Sequence, residues 1–350
     1  MKKIKISLVS VLIVIIVVIT GCSKTEDFSE FLNQGGSNDD PVPSSLIFRK
    51  SSLRNQVVAF TLTDENGDDI TDISVFYVDG EALDANEFSS PDPGMFEVYA
   101  EFDVNGNTQT TDTETFSVII PKQKIVVEDY TGTWCGYCPR VTASIEAIHD
   151  VTDDIAVVAI HNDDEMSIPI EEDLRNEFDV FGFPAGRINR TVKWQNPQDP
   201  QVVIDIAGLD TDLAIAIASS VNGNNLNVKV TVASENAIEN VKLVVYLVED
   251  NILADQVNYY DNDPTSPYYQ QGNPIVDFVH NDVLRASLSD VFGNAVSSTA
   301  ALEDYSASFQ TTLSADYVVA NLKIVAMIVQ EDNTALNGQY AVVGEEKSFE

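Results

Sequence analysis

Residues 131–140 read TGTWCGYCPR, in which two residues separate Cys135 from Cys138. The preceding stretch KIVVEDY, residues 124–130, is short and mostly apolar, which predicts a buried strand. The following stretch VTASIEAIHDV, residues 141–151, has apolar residues at helical spacing and predicts a helix. The two cysteines therefore lie where a strand passes into a helix, and this position decides the fold of the surrounding region.

The strand and helix pattern repeats after the cysteines. IAVVAIH, residues 155–161, predicts a second buried strand, and IEEDLRNEF, residues 170–178, predicts a second helix. A strand–helix–strand order implies parallel strands in an α/β layer structure. We therefore predict an α/β domain over residues 121–210.

Strand patterns dominate on both sides of this region. Residues 96–104 alternate apolar with mainly polar side chains before the turn signal Asn105-Gly106. This pattern predicts a small immunoglobulin-like β-sandwich over residues 46–120. Strand patterns resume over residues 211–350, where Asn222-Gly223-Asn224-Asn225 marks a hairpin, and predict a C-terminal β-sandwich. The predicted fold class is thus a multidomain protein with one α/β domain between two all-β domains.

The N-terminus has the organisation of an export signal. Three lysines precede a mainly apolar run that ends at Gly21-Cys22. This pattern resembles a bacterial lipobox and predicts a lipoprotein signal peptide, residues 1–21, with a lipid on Cys22 that anchors the chain without spanning the bilayer. An ordinary cleavable signal and an uncleaved anchor are the alternatives. Residues 22–45 are polar and rich in Gly, Pro, Ser and Asp, which predicts a lipidated flexible tether.

The charge excludes one class of partner. The chain has 56 acidic residues against 19 lysines and arginines, a formal net charge of −37. Nucleic-acid binding depends on cations that neutralise phosphates, so we predict no nucleic-acid partner. An acidic surface is also repelled by anionic lipid headgroups, so membrane attachment would depend on the lipid anchor.

Ligand counting argues against a metal site at the cysteines. Zinc commonly takes four protein ligands, often as closely spaced pairs. The remaining candidates are His149, His161 and His280, and no two of them form such a pair. We predict no metal and no other cofactor.

A redox pair and a structural disulfide remain as alternatives. If Cys22 carries lipid, the chain keeps a single cysteine pair in a compartment where disulfides persist. Closing a four-residue loop removes little entropy from the unfolded chain, which disfavours a purely structural role. A helix N-terminus stabilises a thiolate, so Cys135 is the predicted nucleophile and Cys138 the resolving thiol. Trp134 is placed to shield one side of the pair.

EDYTGTWCGYC, residues 128–138, resembles the strand and active-site loop of thioredoxins. The resemblance implies that Asp129, six residues before Cys135, is a buried proton acceptor for the resolving thiol. It also implies that Pro184, in the stretch FGFPAGRINR, is a cis-proline facing the disulfide. Two departures stand out: Pro139 replaces a basic residue, and only one strand, GRINRTV, is evident after Pro184.

The whole layout resembles the Omp28-related outer-membrane lipoproteins. The features that carry this resemblance are the lipobox, the β-rich N-terminal part, TGTWCGYCPR, the Phe183-Pro184 loop and the segment HNDVLR at residues 280–285. The resemblance implies a lipid-anchored location at the outer membrane and leaves open which side the protein faces.

Two functions follow from these observations. The first is thiol–disulfide oxidoreductase activity, with thiols or disulfides of envelope or surface proteins as partners. The second is a non-catalytic binding or structural lipoprotein that uses the thioredoxin fold as a scaffold. Residues 258–274, NYYDNDPTSPYYQQGNP, are rich in tyrosine, proline and acidic residues. If the second function holds, they suit contact with a protein or a glycan; the alternative is that their rings pack within the chain.

Overall fold

The alternating N-terminal pattern forms short strands. The computed structural model describes residues 44–350. Its first ten strands are β1 (Ser45–Ile47), β2 (Ser51–Leu53), β3 (Val58–Ala59), β4 (Thr61–Thr63), β5 (Ser74–Val78), β6 (Glu81–Ala82), β7 (Glu87–Phe88), β8 (Gly94–Val104), β9 (Asn107–Thr110) and β10 (Glu114–Ile119). Six of them form a sheet in the order β2-β10-β8-β5-β6, with β9 paired to β8.

The N-terminal core is aromatic. The pairs β1-β4 and β3-β7 pack against the six-stranded sheet through apolar side chains from both. Phe60 and Phe116 lie at the centre, with ring centroids 5.7 Å apart. The immunoglobulin-like assignment of this part remains a prediction.

The segment around the cysteines contains strands and all three α-helices of the described residues. Its elements are β11 (Ile125–Thr131), α1 (Pro139–His149), β12 (Ile155–His161), α2 (Glu171–Glu177), β13 (Ala185–Ile188), β14 (Val192–Trp194) and α3 (Gln201–Ile204). Strands β11 and β12 are parallel and buried along their whole length. Both predicted buried strands and both predicted helices are thus present in this segment.

The C-terminal half consists of strands. They are β15 (Leu213–Asn222), β16 (Asn225–Ser234), β17 (Val241–Glu249), β18 (Ile252–Gln256), β19 (Ile275–His280), β20 (Val283–Ser287), β21 (Asn294–Ala295), β22 (Tyr305–Thr312), β23 (Leu322–Gln330), β24 (Ala335–Val342) and β25 (Glu346–Lys347). Strands β22-β16-β15-β25 form a four-stranded sheet, and β18-β19 form a separate pair.

One nine-stranded sheet joins the cysteine-containing segment to the C-terminal half. Its order is β14-β13-β11-β12-β20-β17-β23-β24, with β21 paired to β17. The junction is the parallel contact of β12 with β20, where the Ala159 N–H donates to the Asp282 carbonyl at 2.8 Å. Residues 44–350 lie within one compact unit, and the domain boundaries at residues 120 and 210 remain predictions.

Three apolar cores hold this sheet in place. Helices α1 and α3 cover one face of β11 and β12. The segment containing α2 covers the opposite face, together with the same face of β17 and β23. The other face of β17, β23 and β24 packs against the four-stranded sheet. Because both faces are covered, the central strands are continuous apolar runs.

The prediction of a single strand after Pro184 was wrong. The stretch GRINRTV is a hairpin of β13 and β14. The turn falls at Asn189 and Arg190, whose φ angles of 47° and 70° are both positive. The turn residues are Asn-Arg instead of Asn-Gly, and arginine rarely adopts a positive φ angle. The sequence therefore gives no turn signal at this point.

Several predictions lie outside the described residues. They are the signal peptide at residues 1–21, the lipidated Cys22 and nearly all of the tether at residues 22–45. Within residues 44–350, no helix is long and apolar enough to cross a membrane.

Candidate redox site

Cys135 and Cys138 form a disulfide bond at the entry to α1. Their Cα atoms are 5.4 Å apart. The turn is fixed by two backbone hydrogen bonds, from Cys135 N–H to the Gly132 carbonyl at 3.0 Å and from Cys138 N–H to the Cys135 carbonyl at 3.1 Å. Pro139 occupies the first helical position, where its missing N–H removes no helical hydrogen bond.

Both cysteines are buried. Cys135 is 5% exposed and Cys138 is 1% exposed. A segment of the C-terminal half, residues 256–260, lies along the cysteine loop, and we call this segment the strap. Residues that are distant in the sequence therefore contribute to the burial of Cys135.

Backbone hydrogen bonds attach the strap to the cysteine loop. Val257 N–H donates to the Thr133 carbonyl at 2.8 Å, and Tyr259 N–H donates to the Gly136 carbonyl at 2.9 Å. The Tyr259 ring lies against Gly136 so closely that a Cβ atom at that position would be 2.5 Å from it. Gly136 is thus required by the packing of the strap.

Two other tyrosines of residues 258–274, Tyr260 and Tyr268, also pack within the chain. The Tyr260 hydroxyl accepts a hydrogen bond from Arg140 Nη1 at 3.0 Å. The Tyr268 ring is buried and lies 5.8 Å from the Phe278 ring. Contact of this segment with a protein or a glycan remains a prediction.

Trp134, the residue before Cys135, contacts the loop that contains the cis Phe183–Pro184 bond. Trp134 is 44% exposed, and its Nε1–H donates to the Asn162 carbonyl at 2.7 Å. Its ring lies 5.4 Å from the ring of Phe183, which precedes Pro184 through a cis peptide bond. Phe181 in the same loop is 84% exposed. In the described part of the chain, the backbone of Phe183 has no hydrogen-bond partner.

Asp129 lies on β11 and faces α1. It is on the same side of the strand as Ile125 and Val127, which pack against that helix. Burial raises the pKa of the Asp129 carboxyl to about 8. Its Oδ1 has no hydrogen-bond partner among residues 44–350. Asp129 is therefore largely protonated at neutral pH.

A cavity of about 70 Å³ adjoins Asp129 between α1, β12 and β19. His161 and His280 line it, and their ring centroids are 5.1 Å apart. Burial lowers the pKa of His280 to about 4, so this imidazole is neutral at neutral pH. Burial also raises the pKa of Tyr268, and the charges of Glu146 and Asp129 raise it further.

Asp164 connects one of these histidines to the cysteine loop. Its Oδ2 lies 2.7 Å from His161 Nδ1 and accepts a hydrogen bond from Thr133 N–H at 2.9 Å. Burial alone would raise the pKa of Asp164, but hydrogen bonds from His161, Thr133 and Met166 outweigh it and lower that pKa. The cysteine loop is thus held both by Asp164 and by the strap, which bind the N–H and the carbonyl of Thr133.

No cluster of three or more His, Cys, Asp or Glu side chains in the described ranges is arranged to hold a metal ion. The site consists of a disulfide, a buried carboxyl and neutral or hydrogen-bonded histidines.

The model of the family described as Outer membrane protein Omp28 matches residues 171–347, which are 177 of the 350 residues. The chain belongs to the Omp28 outer membrane protein family. A second family model, Thioredoxin, matches residues 107–199. This Omp28 family member thus carries a thioredoxin domain, and the strap lies within the part matched to Omp28.

HBP35 of Porphyromonas gingivalis is similar to this Omp28 family member in fold. The two chains are 17% identical, with a TM-score of 0.50, and the alignment covers 65% of this chain and 77% of HBP35. A β-glucosidase from Kluyveromyces marxianus in complex with glucose is 9% identical over 84% of this chain and 46% of its own, with a TM-score of 0.19, too low to indicate a shared fold. No curated protein matches the sequence.

The structure places Trp134, Cys135 and Cys138 in one turn, with the Trp134 ring against Phe183, the residue before Pro184. Asp129 lies on the strand that leads into this turn, and its role, like that of Pro184, remains a prediction.

Sequence reasoning did not connect four other residues of this region with the cysteines: Gln256, Tyr259, Asp164 and His280. Tyr259 entered only as part of residues 258–274, and His280 only as a metal-ligand candidate and within HNDVLR. Asp164 had a local signal, because it follows the end of a buried strand by three residues. The others come from distant strands, and nothing near them in the sequence indicates the contact.

Proposed function

We propose that the protein exchanges disulfides with polypeptides of the cell envelope through Cys135 and Cys138. The observation that carries this proposal is the disulfide at the start of α1, flanked by Trp134 and by the cis Phe183–Pro184 bond. A disulfide that only stabilises the fold would require neither Trp134 nor the cis Phe183–Pro184 bond beside it.

The exchange proceeds by two sulfur displacements. A substrate thiolate attacks Sγ of Cys135, so a mixed disulfide forms while the Cys135–Cys138 bond breaks and Cys138 takes up a proton. A second substrate thiolate then attacks the substrate sulfur of the mixed disulfide and releases Cys135 as a thiolate. The substrate loses two electrons and the cysteine pair gains them, and the reverse sequence reduces a substrate disulfide.

Asp129 supplies the proton transfer at Cys138. An ordinary carboxylate is a weak base toward a thiol, whose pKa is about 8.5. Burial raises the pKa of Asp129 to about 8, which brings the carboxyl close to the thiol in proton affinity. Asp129 therefore accepts the proton when Cys138 attacks and returns it when Cys138 leaves.

Extended polypeptides are the proposed substrates. Trp134 beside Cys135 and Phe181 in the loop before Pro184 are both exposed, and in this proposal they form an aromatic border for the substrate. The unpaired backbone of Phe183 offers hydrogen bonds to a substrate strand beside that border. Because the strap is hydrogen-bonded to the cysteine loop, we propose that a substrate approaches from the proline loop.

The family match and the N-terminal sequence support a location at the outer membrane. The chain belongs to an outer membrane protein family. We propose that a lipid on Cys22 provides the anchor, since a lipidated cysteine attaches a chain without a spanning helix. A Cys22→Ala protein that still fractionates with membranes would refute this anchor.

Trapping tests the exchange. In Cys138→Ser, Cys135 can still attack a substrate disulfide but no thiol resolves the mixed disulfide, so we expect covalent adducts with envelope proteins that reductant releases. Cys135→Ser is the matched control and should form none. If Cys138→Ser captures nothing from an oxidised envelope extract while its Cys135 thiol remains reactive, disulfide exchange is excluded.

One observation favours the second function, a non-catalytic binding protein on a thioredoxin scaffold. Cys135 is only 5% exposed beneath the strap, whereas an attacking thiol needs access. Under that function, residues 258–274 would contact the ligand and the disulfide would be inert. Reduction of the folded protein by dithiothreitol separates the two: an exchangeable pair is reduced without unfolding, and an inert pair is not.

A further inference from the structure

Gln256 is a buried polar residue that the exchange chemistry leaves unexplained. It is the last residue of β18 and the first of the strap, and it is 2% exposed. Burying an amide without hydrogen bonds costs free energy, so its partners indicate why it is there.

The side chain of Gln256 points at the turn that holds Cys135. Its Nε2 lies 3.0 Å from the Cys135 carbonyl, 3.0 Å from the Val257 carbonyl and 3.4 Å from the Gly132 carbonyl. An amide nitrogen has two hydrogens, so the two shorter contacts are the principal hydrogen bonds. Gln256 therefore connects the strap backbone directly to the nucleophile's own peptide group.

Gln256 contacts the same two carbonyl oxygens that accept the backbone hydrogen bonds of the turn. The Cys135 carbonyl also accepts Cys138 N–H, and the Gly132 carbonyl accepts Cys135 N–H. Both carbonyl oxygens carry partial negative charge within the turn that holds Cys135. A donor at these oxygens fixes the turn and reduces the negative potential where a thiolate forms.

We propose that Gln256 is a positioning residue of the redox site, which acts through the Cys135 peptide group to favour the Cys135 thiolate. The proposal deepens the proposed function and rests on it for its biological meaning. It also assigns part of the site to the Omp28-matched half of the chain, 121 residues away from Cys135 in the sequence.

The test is the pH dependence of Cys135 alkylation in the full-length Cys138→Ser protein. Iodoacetamide reacts with the thiolate, and mass spectrometry of the peptide that contains Cys135 reports the rate at each pH. Two variants keep the volume of the side chain: Gln256→Met removes the donor, and Gln256→Glu replaces it with a carboxylate. Circular dichroism confirms that each variant is folded.

We expect alkylation below the midpoint pH to slow by about threefold in Gln256→Met and by about tenfold in Gln256→Glu, because one pKa unit is a tenfold change in thiolate fraction. Gln56→Met is the matched control. Gln56 is also buried and donates to a backbone carbonyl, that of Leu302 at 3.0 Å, in the N-terminal part. Its replacement should lower the melting temperature without moving the alkylation curve.

An unchanged curve in both Gln256 variants would overturn the proposal and leave Gln256 a packing residue. If one variant does not fold, the alkylation curve of the other variant tests the proposal by itself. Because alkylation needs no protein substrate, the curve can be measured even if the protein exchanges no disulfides. Failure of the positioning role is therefore distinct from failure of the exchange function.

Discussion

At the scale of single residues, Asp129 has the most informative chemistry. It is buried between β11, α1 and β12, where loss of hydration makes ionisation unfavourable. The shift of its pKa to about 8 is a statement about stability as well as about proton transfer.

Asp129→Asn should change how stability depends on pH. Between pH about 4 and about 8 the folded protein keeps a proton on Asp129 that the unfolded chain has released, so this group's stabilisation is complete below about pH 4 and is lost as pH rises through about 8. Relative to wild type, Asp129→Asn should therefore gain unfolding free energy with rising pH, up to about 5 kcal/mol. Urea unfolding at several pH values measures this difference. A difference that stays constant with pH would contradict the raised pKa.

The sequence predicted the residues of the turn but not the residues around it. Asp129, Trp134, Cys135, Cys138 and Pro184 lie in two short stretches whose spacing carries the resemblance to thioredoxins. Residues such as Gln256 act through contacts between distant elements, and no local pattern reveals them.

At the scale of elements, the strap connects the C-terminal half of the chain to the cysteine loop. It joins β18 to the cysteine loop through the backbone of residues 257 and 259. The Tyr259 ring then leaves no room for a side chain at Gly136.

Gly136→Ala should be destabilising only while the Tyr259 ring is present. The added Cβ would meet the ring at 2.5 Å, and overpacking of this kind costs about 1–3 kcal/mol. In a Tyr259→Ala background the same substitution should cost much less, which a double-mutant cycle by urea unfolding would show. Gly182→Ala is the control, because nothing lies within 4 Å of the Cβ it adds. Equal costs of Gly136→Ala in both backgrounds would mean that the strap does not pack as described.

Strands and helices could be predicted from the sequence where the apolar periodicity lies within the element itself. The strands and helices at residues 125–178 follow from apolar periodicity. The β13–β14 hairpin was missed because its turn uses Asn189 and Arg190 with positive φ. Arg190 adopts this conformation because its side chain is held by buried partners elsewhere in the fold.

At the scale of the whole molecule, a buried cluster connects the cysteine-containing segment to the C-terminal half. Arg190 Nε donates to Glu128 on β11 at 2.9 Å, and Arg190 Nη2 donates to the Tyr246 hydroxyl on β17 at 3.0 Å. Both charged side chains are fully buried. The continuous sheet and this cluster make the two halves one structural unit, which composition could not predict.

Arg190→Met should lower the unfolding free energy by about 3–5 kcal/mol, because it leaves Glu128 buried without its partner. Adding Glu128→Gln should recover part of this loss, since the unpaired charge is then gone. Urea unfolding of the single and double variants gives both values. A loss that is the same in the double variant as in Arg190→Met would show that the ion pair is not the cause.

The most direct test of the central claim, that Cys135 and Cys138 form an exchangeable redox pair, is their equilibrium with glutathione buffers in the folded protein. Alkylation and intact mass would count the free thiols at each ratio of reduced to oxidised glutathione. We predict reversible exchange with a reduction potential between about −120 and about −270 mV, the range of known thiol–disulfide oxidoreductases. A disulfide that exchanges only after the protein is unfolded would contradict the claim and identify it as a structural bond.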